Sequence, residues 1–125
     1  MNPSGAGPQA IVLFGHGSRD PRWAQTLNEV AERMRAQAPE VQVHCAYLEF
    51  MQPDLPSVLH SLAAQGLERI RIAPMFLAAG GHVLRDLPAL AQAAVSATPQ
   101  VRLEILPALG TQPEVMDALA ATACR

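Results

Sequence analysis

Four times along the chain a strand-like run gives way to a helix-like segment. Ala10 to Phe14 (AIVLF) is continuous and apolar and ends at Gly15, the pattern of a strand buried on both faces. From about Pro21 the period changes, with Leu27, Val30, Ala31, Met34 and Ala38 on one helical face and Pro39 as the stop. Val41 to Leu48 is the second strand. Pro53-Asp54 turns into a helix carrying Leu55, Val58, Leu59 and Leu62, which Gly66 ends. Ile70 to Pro74 is the third strand. The third helix spans roughly His82 to Ala97, with Leu87, Leu90, Ala91, Ala94 and Val95 inward. Pro88 in that helix argues for a true start near Asp86, after an irregular turn. Val101 to Leu106 and Pro113 to Ala123 complete the series as strand and helix.

Consecutive strand–helix units joined by right-handed crossovers leave one economical solution, a four-stranded parallel sheet with helices on both faces. The expected layout is a flexible segment over residues 1–9 and a single α/β domain over 10–125, since 125 residues suffice for one core only. With 50% hydrophobic and 16% charged residues, the composition excludes a disordered chain. The net charge of −2 argues against a nucleic-acid binder. All nine basic residues are arginines, which excludes a Schiff-base lysine and a phosphate-loop lysine. Cys45 and Cys124 form no metal or redox spacing and fit a reducing cytoplasm, Cys45 as a small core residue. The N-terminal stretch has no basic region and only a short apolar run, so neither a signal peptide nor a membrane span is expected.

Ligands of open parallel sheets bind beyond the carboxyl ends of the strands. Strand one is followed by Gly15-His16-Gly17-Ser18-Arg19-Asp20, strand two by Glu49, strand three by a loop ending Gly80-Gly81-His82, and strand four by Leu109-Gly110-Thr111. Two histidines and a carboxylate therefore converge on one edge. Imidazole and carboxylate are frequent ligands of first-row divalent metals, and three such groups leave coordination positions open for exchange or chemistry. The flanking glycines leave room for something flat or bulky.

Each residue has a plainer reading. His82 also suits a helix cap, and Glu49, among Leu48, Phe50 and Met51, also suits a structural ion pair offsetting burial. Ser18 reads as a helix cap in competition with Asp20, and no nucleophile elbow surrounds it. Asp86 orients His82 or caps a helix, and Trp23 and Met34 read as core or interface. His44 in mid-strand and His60 on a polar helix face default to structure or solvent. A histidine phosphatase would need an arginine before the histidine, where Gly15 stands.

The segments GHGSRDP (15–21), YLEFMQP (47–53), PMFLAAGGHVLRDLP (74–88) and ALGTQP (108–113) resemble the sirohydrochlorin chelatases of the CbiX type, in order and over nearly the whole chain. The resemblance implies a single chelatase-like lobe that inserts a divalent metal into a tetrapyrrole without ATP, in siroheme or cobalamin biosynthesis. It implies that His16 and His82 bind the incoming metal and accept pyrrole protons, with Glu49 as third ligand or proton acceptor. Metalation must remove two N–H protons as the ion arrives, so ligands and bases belong in one place. Ser18, Gly80 and Gly81 fall in the implied substrate-binding segments. Sirohydrochlorin is rich in carboxylates, which Arg19 and Arg85, and less so Arg22, would match. The metal is substrate and no other cofactor is implied; Co2+ or Fe2+ is expected, with Ni2+ also compatible. Wider family members face two such lobes across a cleft, so one lobe implies a homodimer, with no nucleic-acid or membrane partner. A non-catalytic metal- or tetrapyrrole-binding module on the same fold is the alternative.

Overall fold

The computed structural model describes residues 7–78 and 80–125. Strands β1 (Ala10–Gly15), β2 (Gln42–Tyr47), β3 (Arg69–Pro74) and β4 (Arg102–Ile105) alternate with helices α1 (Ala24–Gln37), α2 (Leu55–Ala64), α3 (Gly81–Ala94) and α4 (Pro113–Cys124). All strand pairs are parallel, in the order β2-β1-β3-β4. The expected doubly covered parallel sheet is therefore the observed one.

Period-two alternation divides the core between the two faces. Ala10, Val12 and Phe14 of β1 join Ala46, Ile70 and Ile72 against Leu55, Leu59 and Leu62 of α2 and Leu87 and Ala91 of α3. Leu13, Val43, Tyr47 and Ala73 face the other way, onto Ala24, Leu27 and Ala31 of α1. Each fully buried leucine of α2 contributes about 1.5–3 kcal/mol through its removal from water. The connections from β1 and β3 leave the sheet in opposite directions, and the carboxyl ends at such a switch point are where open parallel sheets take ligands.

Two details depart from the sequence expectations. The first helix is preceded by a separate 3-10 turn at Pro21–Trp23, capped by the Asp20 side chain on the Arg22 N–H. Helix α3 begins at Gly81 and carries Pro88 inside it, where an irregular turn up to Asp86 was expected. Pro88 is exposed, while Leu87 and Ala91 on either side are buried against the sheet. Packing of that face thus holds the helix together across one missing N–H. Helix α4 has no buried residue; it packs on a 3-10 turn at Leu109–Thr111 and leaves Met116 and Leu119 half exposed.

Of the N-terminal segment, residues 1–6 lie outside the described residues. Gln9 is tied at the sheet edge: its side-chain oxygen accepts from the Glu68 and Arg69 N–H groups at 2.8 and 3.1 Å. Among the described residues, no helix is long and apolar enough to cross a membrane.

Helix α2 starts at Asp54, whose carboxylate accepts from the Ser57 N–H at 2.8 Å. The Ser57 side chain and then its backbone N–H hold the Asp54 carboxyl below its ordinary value. A carboxyl depressed by folding stabilises the native state above its unfolded value, and that stability is lost as pH falls through the folded value. Asp54→Ala is therefore expected to lower the melting temperature at neutral pH, with the gap to wild type narrowing under acid. Asp54→Asn keeps an acceptor at the cap, so it should melt closer to wild type at neutral pH than Asp54→Ala, and its smaller gap should also narrow under acid as the wild-type carboxyl takes up its proton; thermal melts between pH 2 and 7 read both.

Candidate functional site

The chain leaves β1 at Gly15 and immediately pairs with the segment leaving β2. The Leu48 N–H donates to the Gly15 carbonyl at 3.0 Å, and the Glu49 N–H donates to the His16 carbonyl at 3.1 Å. These bonds continue the β1–β2 ladder past its last register pair, Gly15 with Tyr47. Gly15 is glycine for a packing reason: a Cβ there would press on the Trp23 ring at 2.9 Å and on Leu27 at 3.3 Å. Gly17 is under a stronger constraint. Its φ is +96°, and a Cβ would collide with the Glu49 carbonyl oxygen. The missing side chain is what lets the two loops touch.

That contact places His16 beside Glu49. Nε2 of His16 lies 3.4 Å from Oε2 of Glu49, with the two side chains 46% and 48% exposed. Nδ1 of His16 faces the Gly17 carbonyl at 3.4 Å. Both ring nitrogens thus face an acceptor, Nδ1 the Gly17 carbonyl and Nε2 the Glu49 carboxylate. A proton on Nε2, or a metal ion between the two atoms, makes this contact with the carboxylate attractive. Ligands about 2.1 Å from a tetrahedral divalent ion stand about 3.4 Å apart, which is the separation this pair has. Glu49 is thus not the costly buried carboxylate that its apolar neighbours suggested. The loop turns it, and Phe50 with it, into solvent.

His82 is exposed on the first turn of α3, on the connection that leaves β3. Among the described residues, no three histidine, cysteine, aspartate or glutamate side chains form a metal-binding group. The structure therefore brings His16 and Glu49 together and keeps His82 apart from them. Gly80 and Gly81 adopt φ of +121° and +82° and swing the chain into α3, with Gly80 at the cap position.

Ser18 accepts from the Asp20 N–H at 3.0 Å, and Asp20 takes the cap of the 3-10 turn. Arg22 grips the same carboxylate, with its Nη2 2.7 Å from Oδ2, so its charge is already committed. The Arg22 side chain first, and its backbone N–H second, hold the Asp20 carboxyl below its ordinary value. Arg19 and Arg85 are exposed, and neither joins an ion pair among the described residues. Arg19 instead lies over the Phe50 ring, 4.7 Å from its centroid.

The remaining candidates stay structural. His44 shares a 3.0 Å hydrogen bond with the Gln42 side chain, and burial, with a smaller push from Arg35, lowers its pKa. Burial pushes the Cys45 thiol up, as suits a core residue. Trp23 covers Gly15 and meets Tyr47 edge-to-face at 6.3 Å. Sequence reasoning missed Phe50, which counted there only as apolar surroundings for Glu49. The available signal was a large aromatic next to a polar residue at a strand's carboxyl end.

A family model described as CbiX matches residues 10–125. A sirohydrochlorin cobaltochelatase of Methanococcus aeolicus is 38% identical over 80 residues, covering 64% of this chain and 56% of that protein. One from Methanocaldococcus jannaschii is 38% identical over 82 residues, 66% of this chain and 57% of that protein. The matched stretch thus spans little more than half the length of these relatives. A CbiX protein from Marinobacter aquaeolei VT8 superposes with a TM-score of 0.79 at 29% identity, covering 94% of this chain and 95% of that one. The sirohydrochlorin chelatase SirB from Bacillus subtilis subspecies spizizenii, in complex with cobalt, superposes with a TM-score of 0.78 at 25% identity, covering 94% of this chain and 50% of that one.

Gly17 and Gly66 share a positive φ, +96° and +88°, but nothing stands within 4 Å of a Cβ on Gly66. Gly66→Ala is expected to cost about 1–2 kcal/mol from backbone strain alone. Gly17→Ala should cost clearly more, because the Glu49 segment must also retreat. Equilibrium urea unfolding of the two variants isolates the contribution of the close loop contact.

Proposed function

The chain belongs to the CbiX family, and we propose that it inserts a divalent metal into sirohydrochlorin. His16 and Glu49 receive the ion, and His82 acts with them as further ligand or proton acceptor. The observation that carries this reading is the His16–Glu49 pair at 3.4 Å, exposed at the strand edge with a ring nitrogen and a carboxylate oxygen facing each other. A pair so exposed adds little to stability, which leaves its geometry better explained by a transient cation.

Insertion requires the ion to shed ligands as pyrrole nitrogens replace them, while two N–H protons leave. A site with only a nitrogen and a carboxylate oxygen holds the ion loosely and leaves its other positions to water and macrocycle. As the ion passes to the pyrrole nitrogens, the freed Nε2 and carboxylate become the nearest bases for the departing protons. One pair thus serves first as ligand and then as base. His82, on the connection from the neighbouring strand β3, approaches the same macrocycle from the α3 side. Histidine and carboxylate accept Co2+, Fe2+ and Ni2+ alike; the cobalt named for relatives makes Co2+ the first substrate to test.

A second copy of the chain is proposed to close the site. His16, Glu49 and His82 are exposed in one lobe, and the SirB chain that superposes is about twice as long as the matched part. Light scattering after size exclusion should give twice the chain mass of 13.3 kDa at micromolar concentration. A monomer that retains full chelatase activity would overturn the two-lobe reading.

The activity is tested anaerobically by following the absorbance change of sirohydrochlorin with each metal. His16→Ala and Glu49→Gln are each expected to lower kcat/KM by about 10²-fold or more, the usual weight of a positioned acid–base group. A rate equal to the uncatalysed one for Co2+, Fe2+ and Ni2+ would sink the proposal. Tight pigment binding without acceleration would point instead to a binding module.

A further inference from the structure

Phe50 is the only described residue other than glycine with a positive φ, at +68°. This left-handed conformation is unfavourable for a bulky side chain and persists where surrounding structure enforces it, often at functional sites. Burial does not explain the strain, because the ring is 52% exposed. The enforcing structure is the closed loop over residues 48–53. The Leu48 and Glu49 N–H groups are held by the β1 side, and the Tyr47 N–H donates to the Pro53 carbonyl at 3.0 Å, closing the base. The loop therefore presents Phe50 to solvent in a fixed pose, one residue beyond Glu49.

One face of the ring is occupied by the Arg19 guanidinium, 4.7 Å from the centroid. Arg19 joins no described ion pair, and the carboxylate next in sequence, Asp20, is already gripped by Arg22. Stacking on an aromatic face orients a guanidinium without using its hydrogen-bond donors. The result is a flat apolar surface bordered by a fixed, uncompensated cation beside the His16–Glu49 pair. Leu77, 73% exposed on the connection that leaves β3, adds apolar surface to the same sheet edge.

We propose that Phe50 and Arg19 form a specificity-determining pair, in which Phe50 presets Arg19 to take a peripheral carboxylate of the macrocycle. This deepens the function proposed above and rests on it. Phe50 is a positioning residue acting through Arg19, so its loss should weaken recognition of the acidic rim and leave the metal–proton exchange intact.

The test uses the full chain and metal-free porphyrins, with binding read by fluorescence quenching and insertion by absorbance. The wild type is expected to prefer an octacarboxylate porphyrin over a dicarboxylate one. Phe50→Gly and Arg19→Gln should each weaken octacarboxylate binding by roughly tenfold, and the double variant by little more than either. Dicarboxylate binding should stay within about twofold, and KM for sirohydrochlorin should rise with kcat unchanged. Phe50→Gly also removes the left-handed strain, so it should melt no lower than wild type while binding worse, a combination a merely structural residue would not give. Phe50→Tyr should retain selectivity and Phe50→Leu should lose it, since only the former keeps an aromatic face. Wild-type selectivity in Phe50→Gly or Phe50→Leu would overturn the pair while leaving the chelatase reading intact. A wild type that neither binds these pigments nor metalates sirohydrochlorin would overturn both.

Discussion

The site depends on two backbone hydrogen bonds that carry the β1–β2 ladder beyond the sheet. The Leu48 and Glu49 N–H groups reach the Gly15 and His16 carbonyls, and they can do so only because Gly17 has no side chain to meet the Glu49 carbonyl. From this contact follow the position of the Glu49 carboxylate beside the His16 ring and the pose of Phe50 one residue later. The parallel sheet supplies the foundation. Adjacent strands that run the same way deliver their outgoing loops to one edge, so residues 33 positions apart in sequence meet without any element of their own.

Electrostatics at this edge divides into charges that are settled and charges that are not. Arg22 and Asp20 satisfy each other and fix the 3-10 turn, and Arg71 pairs with Glu104 across β3 and β4. Arg19 is held by an aromatic face, and His16 and Glu49 face each other at 3.4 Å. Arg19 and the His16–Glu49 pair thus stand together at the carboxyl end of β1 and β2, while the other ion pairs maintain the frame. Paired charges would have to be broken before they could meet a ligand, and Arg19 carries no such cost.

Much of the architecture was legible because burial writes a period into the sequence. The run AIVLF is apolar throughout, as a strand covered on both faces must be, Ile70, Ile72, Ala73 and Pro74 supply the buried positions of β3, and the leucines of α2 recur at helical spacing. Pro88 misled for a definite reason. Local preference disfavours proline inside a helix, but the packing of Leu87 and Ala91 on the sheet outweighs one lost hydrogen bond. Helix α4 was legible as a helix, and only the structure shows that none of its residues is buried. The pairing of His16 with Glu49 was legible only as far as the shared edge.

Sequence by itself determined the alternation of strands and helices, the parallel sheet, and the edge on which His16, Glu49 and His82 would stand. These follow from local periodicity and from the few topologies that right-handed crossovers allow. Tertiary structure alone decided that His16 and Glu49 meet at 3.4 Å while His82 stays apart, and that Phe50 faces solvent under Arg19. Those outcomes rest on a glycine's missing Cβ against another loop's carbonyl and on a left-handed φ imposed by a closed loop. Both are distances between segments far apart in sequence, and no residue pattern along the chain encodes them.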